Sequence, residues 1–356
     1  MKIVFFAKGD RRLPSSRTRV YLVADYLNAH GHHATVHQVV TRPWWNLSWC
    51  RVRDLIHNAR VLFSLQRDEI LFLQRTVHQV DFIMLVLLWR FVTGRSYVFD
   101  FDDAIFTEKG HADFKTSLLI RHAMLVLPSS HSLLEYAAQY NSHAFMLATS
   151  IDTDTVYVPR TTSRTENKVV IGWIGSPGHL ANMRLLVAPV TKLVQSGVPF
   201  RLRIVGGGDQ IPQLFVGIPG LDLSVVAIPP ESPVWKDPKN YVEHIQMFDI
   251  GLVPLEKTEL NAGKDSHKIK EYMGCEVATV ATAWGEHFYM IEDGTTGLLV
   301  DSDEEWVTKL SALVTNEVER ARLARNGREY ICRESSLDSV VSKMLSLVET
   351  YVVQDV

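Results

Sequence analysis

The chain has 356 residues, of which 46% are hydrophobic and 22% charged, and its formal net charge is −3. These values exclude a disordered chain and a nucleic-acid-scale basic surface, and the length predicts two domains. The three separated cysteines, Cys50, Cys275 and Cys332, favour neither a disulfide framework nor a zinc site and fit a reducing, cytoplasmic setting. The N-terminal MKIVFFAKGD predicts a strand instead of a signal peptide, and FIMLVLLW at 82–89 is too short to span a membrane.

The first half of the sequence alternates strand patterns with helical patterns. The predicted strands are 2–7, 33–40, 69–74, 96–102, 123–130 and 143–149, and the predicted helices are 17–31, 80–93 and the stretch HSLLEYAAQY. The segment 159–167 is polar, contains Pro159 and lacks periodicity, so it predicts a linker between two domains.

The second half repeats the pattern. Strands are predicted at 168–175, 200–208, 221–229 and 250–255 and again after KIKEYMG, and two helical stretches follow residue 303. Alternating strands and helices predict an α/β protein with two tandem Rossmann-like, doubly wound parallel sheets, each covered on both faces. The predicted domains are 1–158 and 168–336, facing a cleft in which a ligand would bind beyond the carboxyl ends of the strands.

Two glycine-rich loops follow predicted strands of the second domain. GSPGH begins at Gly175 and Ser176 and precedes a helix, so its backbone N–H groups could hold a phosphate. The alternative is a tight turn in which glycine and proline only shape the backbone. VGGGD at 205–209 does not fulfil the GxGxxG pattern, which disfavours a nicotinamide or flavin cofactor.

A third candidate is the stretch NAGKDSHKIKEYMG. It places Lys264, Ser266 and Lys268 around a predicted helix N-terminus, where cations and the helix dipole favour a diphosphate. Glu271 lies three residues after Lys268 on the same face and could accept two hydrogen bonds from a ribose diol. The alternative is an exposed Lys–Glu pair that contributes only ~0.3 kcal/mol.

Several motifs carry a resemblance to a known family. KIKEYMGCEVATVAT followed by IEDGTTGLLV resembles the C-terminal signature of retaining family 4 glycosyltransferases of the two-Rossmann (GT-B) type. SSRTRVYLVADYLNAHGHHATV and YVFDFDDAIF resemble the variant with S-S-R-x-R and D-x-D-D motifs, and SIDTDTVYVP resembles the interdomain motif. The resemblance covers nearly the whole chain, with the motifs in order.

The resemblance implies roles for individual residues. Glu271 matches the second glutamate of the E-x7-E motif, which binds the donor ribose, whereas the first glutamate is replaced by Gly263. Ser266 and Lys268 match positions near the donor diphosphate, with Lys264 as an earlier lysine. The resemblance also implies retention of anomeric configuration, no metal and no resident cofactor. It further implies that the last segment, 337–356, crosses back to the first domain as a helix.

Three carboxylates lie at the C-terminal end of the fourth predicted strand. Asp102 falls where many relatives have a histidine near the transferred sugar, and Asp102 and Asp103 are the candidate catalytic residues. Asp100 and Asp102 alternate with phenylalanines and therefore share one face. The alternatives are a helix cap for Asp103 and a strand-end turn for Asp100.

Two arginines follow the first predicted strand, where its loop enters a helix. Arg17 and Arg19 suit the donor diphosphate or an acceptor phosphate, because guanidinium groups bind phosphates well. The alternative is a solvated helix start. Ser15 or Ser16 is expected to cap that helix.

The stretch TRPWWNLSWCRVR combines aromatic and basic residues. Trp44, Trp45 and Trp49 beside Arg42, Arg51 and Arg53 suit an anionic membrane surface or a lipid-linked acceptor. The alternative is that these tryptophans cover the domain core. The expected location is the cytoplasm, with contact to the inner face of the membrane as an option.

The sequence thus favours a glycosyltransferase that transfers a sugar from a nucleotide-diphosphate sugar to a hydroxyl acceptor, which could be a glycan, a lipid-linked molecule or a small molecule. Its partners would be the donor and the acceptor, with no nucleic acid. Two alternatives remain open: a sugar-nucleotide epimerase of the same fold, and a non-catalytic nucleotide- or sugar-binding subunit.

Overall fold

A computed structural model describes residues 1–39, 49–75, 80–107, 112–161 and 168–353. The chain divides into two compact units. The first contains Met1–Ser150, Gly263–Asp265 and Leu337–Val356, and the second contains Ile151–Ala262 and Ser266–Ser336.

The first unit is built from alternating strands and helices. Its strands are β1 (Lys2–Ala7), β2 (His33–Gln38), β3 (Glu69–Gln74), β4 (Val98–Phe101) and β5 (Leu125–Pro128). Its helices up to residue 138 are α1 (Pro14–Ser16), α2 (Leu22–Ala29), α3 (Trp49–Ser64), α4 (Val80–Thr93), α5 (Ala112–His122) and α6 (His131–Ala138), with a π-helical turn at Arg17–Tyr21 and a 3-10 turn at Ile105–Thr107.

The five strands of this unit form one parallel sheet in the order β2-β1-β3-β4-β5. The central strands β1 and β4 are buried along nearly their whole length, because helices cover both faces of the sheet. The order reverses between β1 and β3, so the loops at the carboxyl ends of these two strands flank a crevice.

The second unit repeats this plan with more elements. Its strands are β6 (Val169–Gly175), β7 (Phe200–Gly206), β8 (Leu223–Val226), β9 (Ile250–Val253), β10 (Ala278–Thr282) and β11 (Leu298–Val300). Its helices are α7 (Leu180–Arg184), α8 (Val187–Gln195), α9 (Gln210–Val216), α10 (Val242–Gln246), α11 (Glu259–Ala262), α12 (His267–Gly274), α13 (His287–Met290), α14 (Asp303–Thr315) and α15 (Glu317–Glu334), with 3-10 turns at Pro177–His179, Pro233–Lys236 and Pro238–Asn240.

The six strands of the second unit are parallel and follow the order β11-β10-β9-β6-β7-β8. The chain runs outward from β6 through β7 and β8 and then returns to β9 on the other side of β6. The switch point of this sheet therefore lies between β6 and β9. The prediction of two doubly wound parallel-sheet units is confirmed.

The last helix, α16 (Leu337–Val348), belongs to the first unit and is followed by a π-helical turn at Glu349–Val353. It packs beside α2 on one face of the first sheet. Four of its side chains complete the apolar core there: Val340, Val341, Met344 and Val348. This core therefore contains residues from both ends of the sequence.

Two local predictions are wrong. The run 143–149 makes only a single bridge, from Ala144 to Val126, and forms no strand, although its Leu147 is buried in the core. The first helical segment begins at Pro14 and not at Arg17, since proline fits the first turn of a helix. Ser15 and Ser16 consequently lie inside it, and Leu13, not a serine, occupies the cap position.

Candidate functional site

The switch point of the second sheet brings three predicted site segments together. GSPGH follows β6, and the chain after β9 leads into α12, which carries Lys268 and Glu271. Lys268 Nζ lies 3.2 Å from His179 Nε2 in the GSPGH loop. The glycine loop after β7 adjoins the same place, because Gly207 N–H donates to Gly175 O at 2.7 Å. The candidate site of this unit is therefore the carboxyl edge of β6, β7 and β9.

Lys268 is held half-buried above the end of β6. Its ammonium lies 5.8 Å from the centre of the Trp173 ring, within the range of a cation–π contact. A Cβ at position 175 would lie 2.7 Å from that ring and 3.2 Å from Lys268 Cε, so glycine at 175 leaves room for the lysine. Ser176, next in the chain, is exposed. The site thus offers a positioned cation beside an open loop, which suits an anionic ligand.

Glu271 is buried and oriented by two tyrosines. Its Oε1 accepts hydrogen bonds from Tyr157 Oη at 2.7 Å and Tyr241 Oη at 2.9 Å. His267 Nε2 lies 3.6 Å from the same oxygen. Burial, with the neighbouring carboxylate, raises the pKa of the Tyr157 phenol, which therefore stays a donor. This environment differs from the exposed Lys–Glu pair that was the alternative interpretation.

The second carboxylate oxygen, Oε2, has no hydrogen-bond partner among the residues that the structure describes. Tyr157 and Tyr241 fix one oxygen, so the other keeps a defined direction and unused acceptor capacity. A pair of vicinal hydroxyls is the kind of group that such a fixed carboxylate can bind. Neither tyrosine was identified from the sequence. Tyr157 lies within the interdomain motif, and Tyr241 has no local signal at all.

The residues just before α12 are divided between the two compact units. Gly263 and Lys264 are grouped with the first unit, whereas Ser266 and Lys268 are grouped with the second. Ser266 is buried at the cap position of α12 and makes no side-chain capping bond.

Gly263 is packed tightly inside the first unit. Its carbonyl accepts a hydrogen bond from Ser130 Oγ at 3.3 Å, and a Cβ at this position would lie 3.2 Å from Ala104 Cβ. A glutamate here would have to displace Ala104 or shift the backbone. The packing at position 263 therefore disfavours the motif's first glutamate.

Arg19 is buried in the first unit and bound to Asp100. Its Nε donates to Asp100 Oδ1 at 2.8 Å, and Nη2 bonds both Asp100 and the carbonyl of Leu127. Nη1 donates to the Leu147 carbonyl and the Thr149 hydroxyl, each at 3.0 Å. All five N–H groups of the guanidinium are thereby used. The prediction that Arg19 binds the donor diphosphate is corrected to a structural role.

Arg17 lies two residues earlier in the π-helical turn and is half-buried. Ser16 has a structural contact as well, because its Oγ accepts from Gly9 N–H and bonds Gln74 Oε1. Donor binding by Arg17 stays a prediction.

The other two carboxylates of YVFDFDDAIF share Arg75. Nη1 of Arg75 lies 2.6 Å from Asp103 Oδ2 and 3.5 Å from Asp102 Oδ1. Arg75 follows β3 directly and has a positive φ of 54°, an uncommon conformation for a residue with a side chain. Its N–H donates to the Asp100 carbonyl. Asp102 and Asp103 thus lie at the carboxyl edge of the first sheet, beside its switch point.

Burial raises the pKa of the Asp102 carboxyl to about 7, against the opposing attraction of Arg75. A carboxyl that titrates near neutrality can both accept and release a proton under ordinary conditions. Among the described residues, no group of three or more His, Cys, Asp or Glu side chains is placed to hold a metal ion.

We expect the raised pKa of Asp102 to make the free energy of unfolding depend on pH. The folded state keeps the Asp102 proton at pH values where the unfolded state has lost it, so unfolding becomes easier as pH rises through this range. Relative to Asp102→Asn, the wild-type free energy of unfolding should fall by about 2 kcal/mol from about pH 5 to about pH 7. Urea titrations of both proteins at several pH values measure it, and a difference independent of pH would contradict it.

The tryptophan-rich stretch cannot be placed in the same way. Trp44, Trp45 and Arg42 lie outside the described residues, as do the side chains of Trp49 and Arg51. Arg53 is exposed on α3. The last part of the predicted linker, 162–167, also lies outside the described residues.

Comparison with known proteins agrees with this architecture. The model of the family described as glycosyl transferases group 1 matches residues 168–316, which include the candidate site on α12. No curated protein sequence matches the chain.

Solved structures resemble the chain over nearly its full length. HepE from Anabaena in complex with UDP has a TM-score of 0.69 at 13% identity, covering 98% of this chain and 100% of that one. Sucrose-phosphate synthase from Thermosynechococcus elongatus has a TM-score of 0.72 at 11% identity, covering 98% and 99%. The lipopolysaccharide outer core galactosyltransferase WaaB has a TM-score of 0.68 at 14% identity, covering 98% and 99%.

These similarities give the chain the GT-B fold, and at such low identity they show the fold alone. The family match over residues 168–316 adds the glycosyl transferases group 1 signature to the second unit.

Proposed function

We propose that this protein is a retaining glycosyltransferase that moves a sugar from a nucleotide-diphosphate donor to a hydroxyl acceptor, with no resident cofactor or metal. One observation carries the proposal. At the switch point of the second sheet, Lys268 lies beside the loop after β6, and two tyrosines orient the Glu271 carboxylate three residues further along α12. A cation for a diphosphate and a fixed acceptor for a ribose diol are what a nucleotide sugar requires.

The proposed chemistry is largely electrostatic. As the bond to the sugar breaks, negative charge accumulates on the leaving diphosphate, and Lys268 would stabilise it. Glu271 would hold the ribose and so fix the diphosphate against the lysine. Ser176 and the backbone N–H groups of its loop would contribute hydrogen-bond donors at the carboxyl end of β6.

The first unit would supply the acceptor side of the reaction. Asp102 is the proposed proton acceptor, because burial raises its pKa to about 7 and brings it close to the range of an effective general base. Asp103 shares Arg75 with it and would orient the acceptor hydroxyl. The acceptor classes that the sequence suggests, including lipid-linked hydroxyls, remain part of the proposal.

A thermal-shift screen of UDP, GDP, ADP and TDP sugars tests the donor site. A ligand at about 100 times its dissociation constant should stabilise the protein by about 2.7 kcal/mol. UDP sugars come first, because the similar fold of HepE holds UDP. Lys268→Ala should abolish the shift while leaving the unliganded melting temperature unchanged. If no nucleotide sugar shifts the wild type, the proposal is wrong.

Product analysis then separates the reaction types. Incubation with donor and acceptor should yield a glycoside whose anomeric proton, observed by NMR, has the configuration of the donor. Conversion of the donor alone into an isomeric nucleotide sugar would instead identify an epimerase.

A non-catalytic binding subunit is the second candidate function, and Gly263 is the observation that favours it. Its close contact with Ala104 disfavours the glutamate that the resembled motif has at this position. Nucleotide-sugar binding without turnover across a broad acceptor panel would support this candidate.

A further inference from the structure

The outward face of α4 is apolar throughout. Its exposed apolar side chains recur with helical spacing and are between 52 and 85% exposed: Val80, Met84, Leu88, Phe91 and Val92. The opposite face is buried in the core of the first unit. The two charged residues of the helix, Asp81 and Arg90, are only partly exposed, and Arg90 Nε donates to the His122 carbonyl. The helix is thus apolar on both faces, and the described residues cover only one of them.

The neighbouring helix α3 packs against α4 and extends this surface. Val52, Ile56 and Phe63 form an exposed stripe along it. Arg53 and Arg60 are exposed along one edge of the stripe. The only acidic residue of α3, Asp54, is buried. We refer to the exposed residues of both helices, Val52, Arg53, Ile56, Arg60, Phe63, Val80, Met84, Leu88, Phe91 and Val92, as the α3–α4 face.

Such a face is unusual for a surface helix, whose outer side normally carries polar and charged residues. Contiguous exposed apolar side chains mark a binding surface. In the described part of the chain, no helix is long and apolar enough to cross a bilayer. A short apolar helix beside a basic amphipathic one instead suits the plane of a membrane interface, where apolar side chains enter the acyl boundary and arginines remain among head groups.

We propose that the α3–α4 face docks on an anionic lipid surface. Phe91, Leu88 and Met84 enter the interface, and Arg53 and Arg60 bind lipid phosphates. The charge of the face selects this occupant over a second copy of the chain, because the face contains Arg53 and Arg60 but no acidic residue that a second copy could offer to them. The inference uses only the first unit and does not depend on the donor site. It would bring the protein to a lipid-linked acceptor if that class of acceptor is the right one.

Co-sedimentation of the full chain with vesicles tests the proposal. Vesicles of phosphatidylcholine and phosphatidylserine in equal parts should bind the protein, and vesicles of phosphatidylcholine alone should bind it more weakly. Leu88→Glu with Phe91→Glu should lower binding more than about tenfold, since two large side chains lose their apolar environment. Arg53→Gln and Arg60→Gln should each lower binding to the anionic vesicles by about fivefold.

Val318→Glu is the matched control. Val318 is 81% exposed on α15 of the second unit, so its substitution adds half of the double variant's negative charge away from the face and should not change binding. Circular dichroism of each variant checks that the fold is intact.

Two results would overturn the proposal. One is unchanged vesicle binding of the Leu88→Glu, Phe91→Glu variant. The other is a wild-type dimer in sedimentation equilibrium that this variant dissociates, with no binding to vesicles, which would make the face an interface between copies. Nucleotide binding measured without vesicles distinguishes either outcome from failure of the donor site.

Discussion

Replacing Asp100 by Ala is expected to lower the free energy of unfolding of the first unit by about 3–5 kcal/mol, because it leaves the Arg19 charge buried without a counterion. Arg19 and Asp100 are both buried, and the guanidinium also donates to the Leu147 carbonyl and the Thr149 hydroxyl, which hold it in the interior. Urea denaturation followed by circular dichroism and fluorescence measures the loss. The two units can unfold separately, so the transition must be assigned to the first unit.

Asp25→Ala is the matched control for this experiment. Asp25 also binds an arginine through both carboxylate oxygens, Arg11 at 2.6 and 2.7 Å, but this pair is exposed in the same unit. Its removal should cost less than about 1 kcal/mol. The double variant Arg19→Met, Asp100→Leu should recover much of the lost stability, since it removes both buried charges. If Asp100→Ala and Asp25→Ala lower the free energy of unfolding equally, the structural role inferred for the buried Arg19–Asp100 pair is wrong.

Glu271→Gln is expected to lower donor kcat/KM by about 100-fold, because two hydrogen bonds from ribose hydroxyls to a carboxylate become bonds to a neutral amide. The wild type should also prefer a ribonucleotide to its 2′-deoxy analogue by about tenfold, and the variant should lose most of this preference. Isothermal titration with both nucleotides measures the discrimination directly. It is a readout that a merely structural role for Glu271 would not change.

The tyrosines provide a second test of the same arrangement. Tyr157→Phe and Tyr241→Phe each remove one hydrogen bond that orients Glu271 Oε1, and each should lower donor affinity by several-fold without adding to the effect of Glu271→Gln. Glu329→Gln, on the exposed side of α15, is the control and should behave as wild type. Full ribose discrimination in Glu271→Gln would exclude the proposed role.

The doubly wound architecture could be predicted because periodicity is a local property. A strand buried on both faces, such as β1 or β10, consists mainly of apolar and β-branched residues, and the helices between strands have their own spacing. The prediction of a strand at 143–149 was wrong for a physical reason. Leu147 and Phe145 satisfy the apolar pattern by packing in the core, whereas the backbone makes a single bridge to β5 and one further hydrogen bond, from Leu147 N–H to the Pro128 carbonyl. Burial and strand pairing produce the same sequence pattern but are different interactions.

The candidate site was predicted in part. Lys268 and Glu271 could be identified because they lie one helical turn apart next to a buried strand. The partners of Glu271 could not, since Tyr157 precedes it by 114 positions and only the fold brings them together. Arg19 was misassigned for the same reason: its partner, Asp100, is 81 positions away. Long-range pairing decides whether a charged side chain is available to a ligand, and spacing along the chain carries no information about it.

The location of α16 has a consequence for how the protein is made. The core face that α2 covers also requires Val340, Val341, Met344 and Val348, which are synthesised after the whole second unit. The nascent first unit therefore leaves the ribosome with part of its apolar interior open to solvent, and it remains so until α16 has been synthesised. Exposed surface of this kind is what chaperones bind, and the second unit, whose residues are complete by Ser336, can finish folding first.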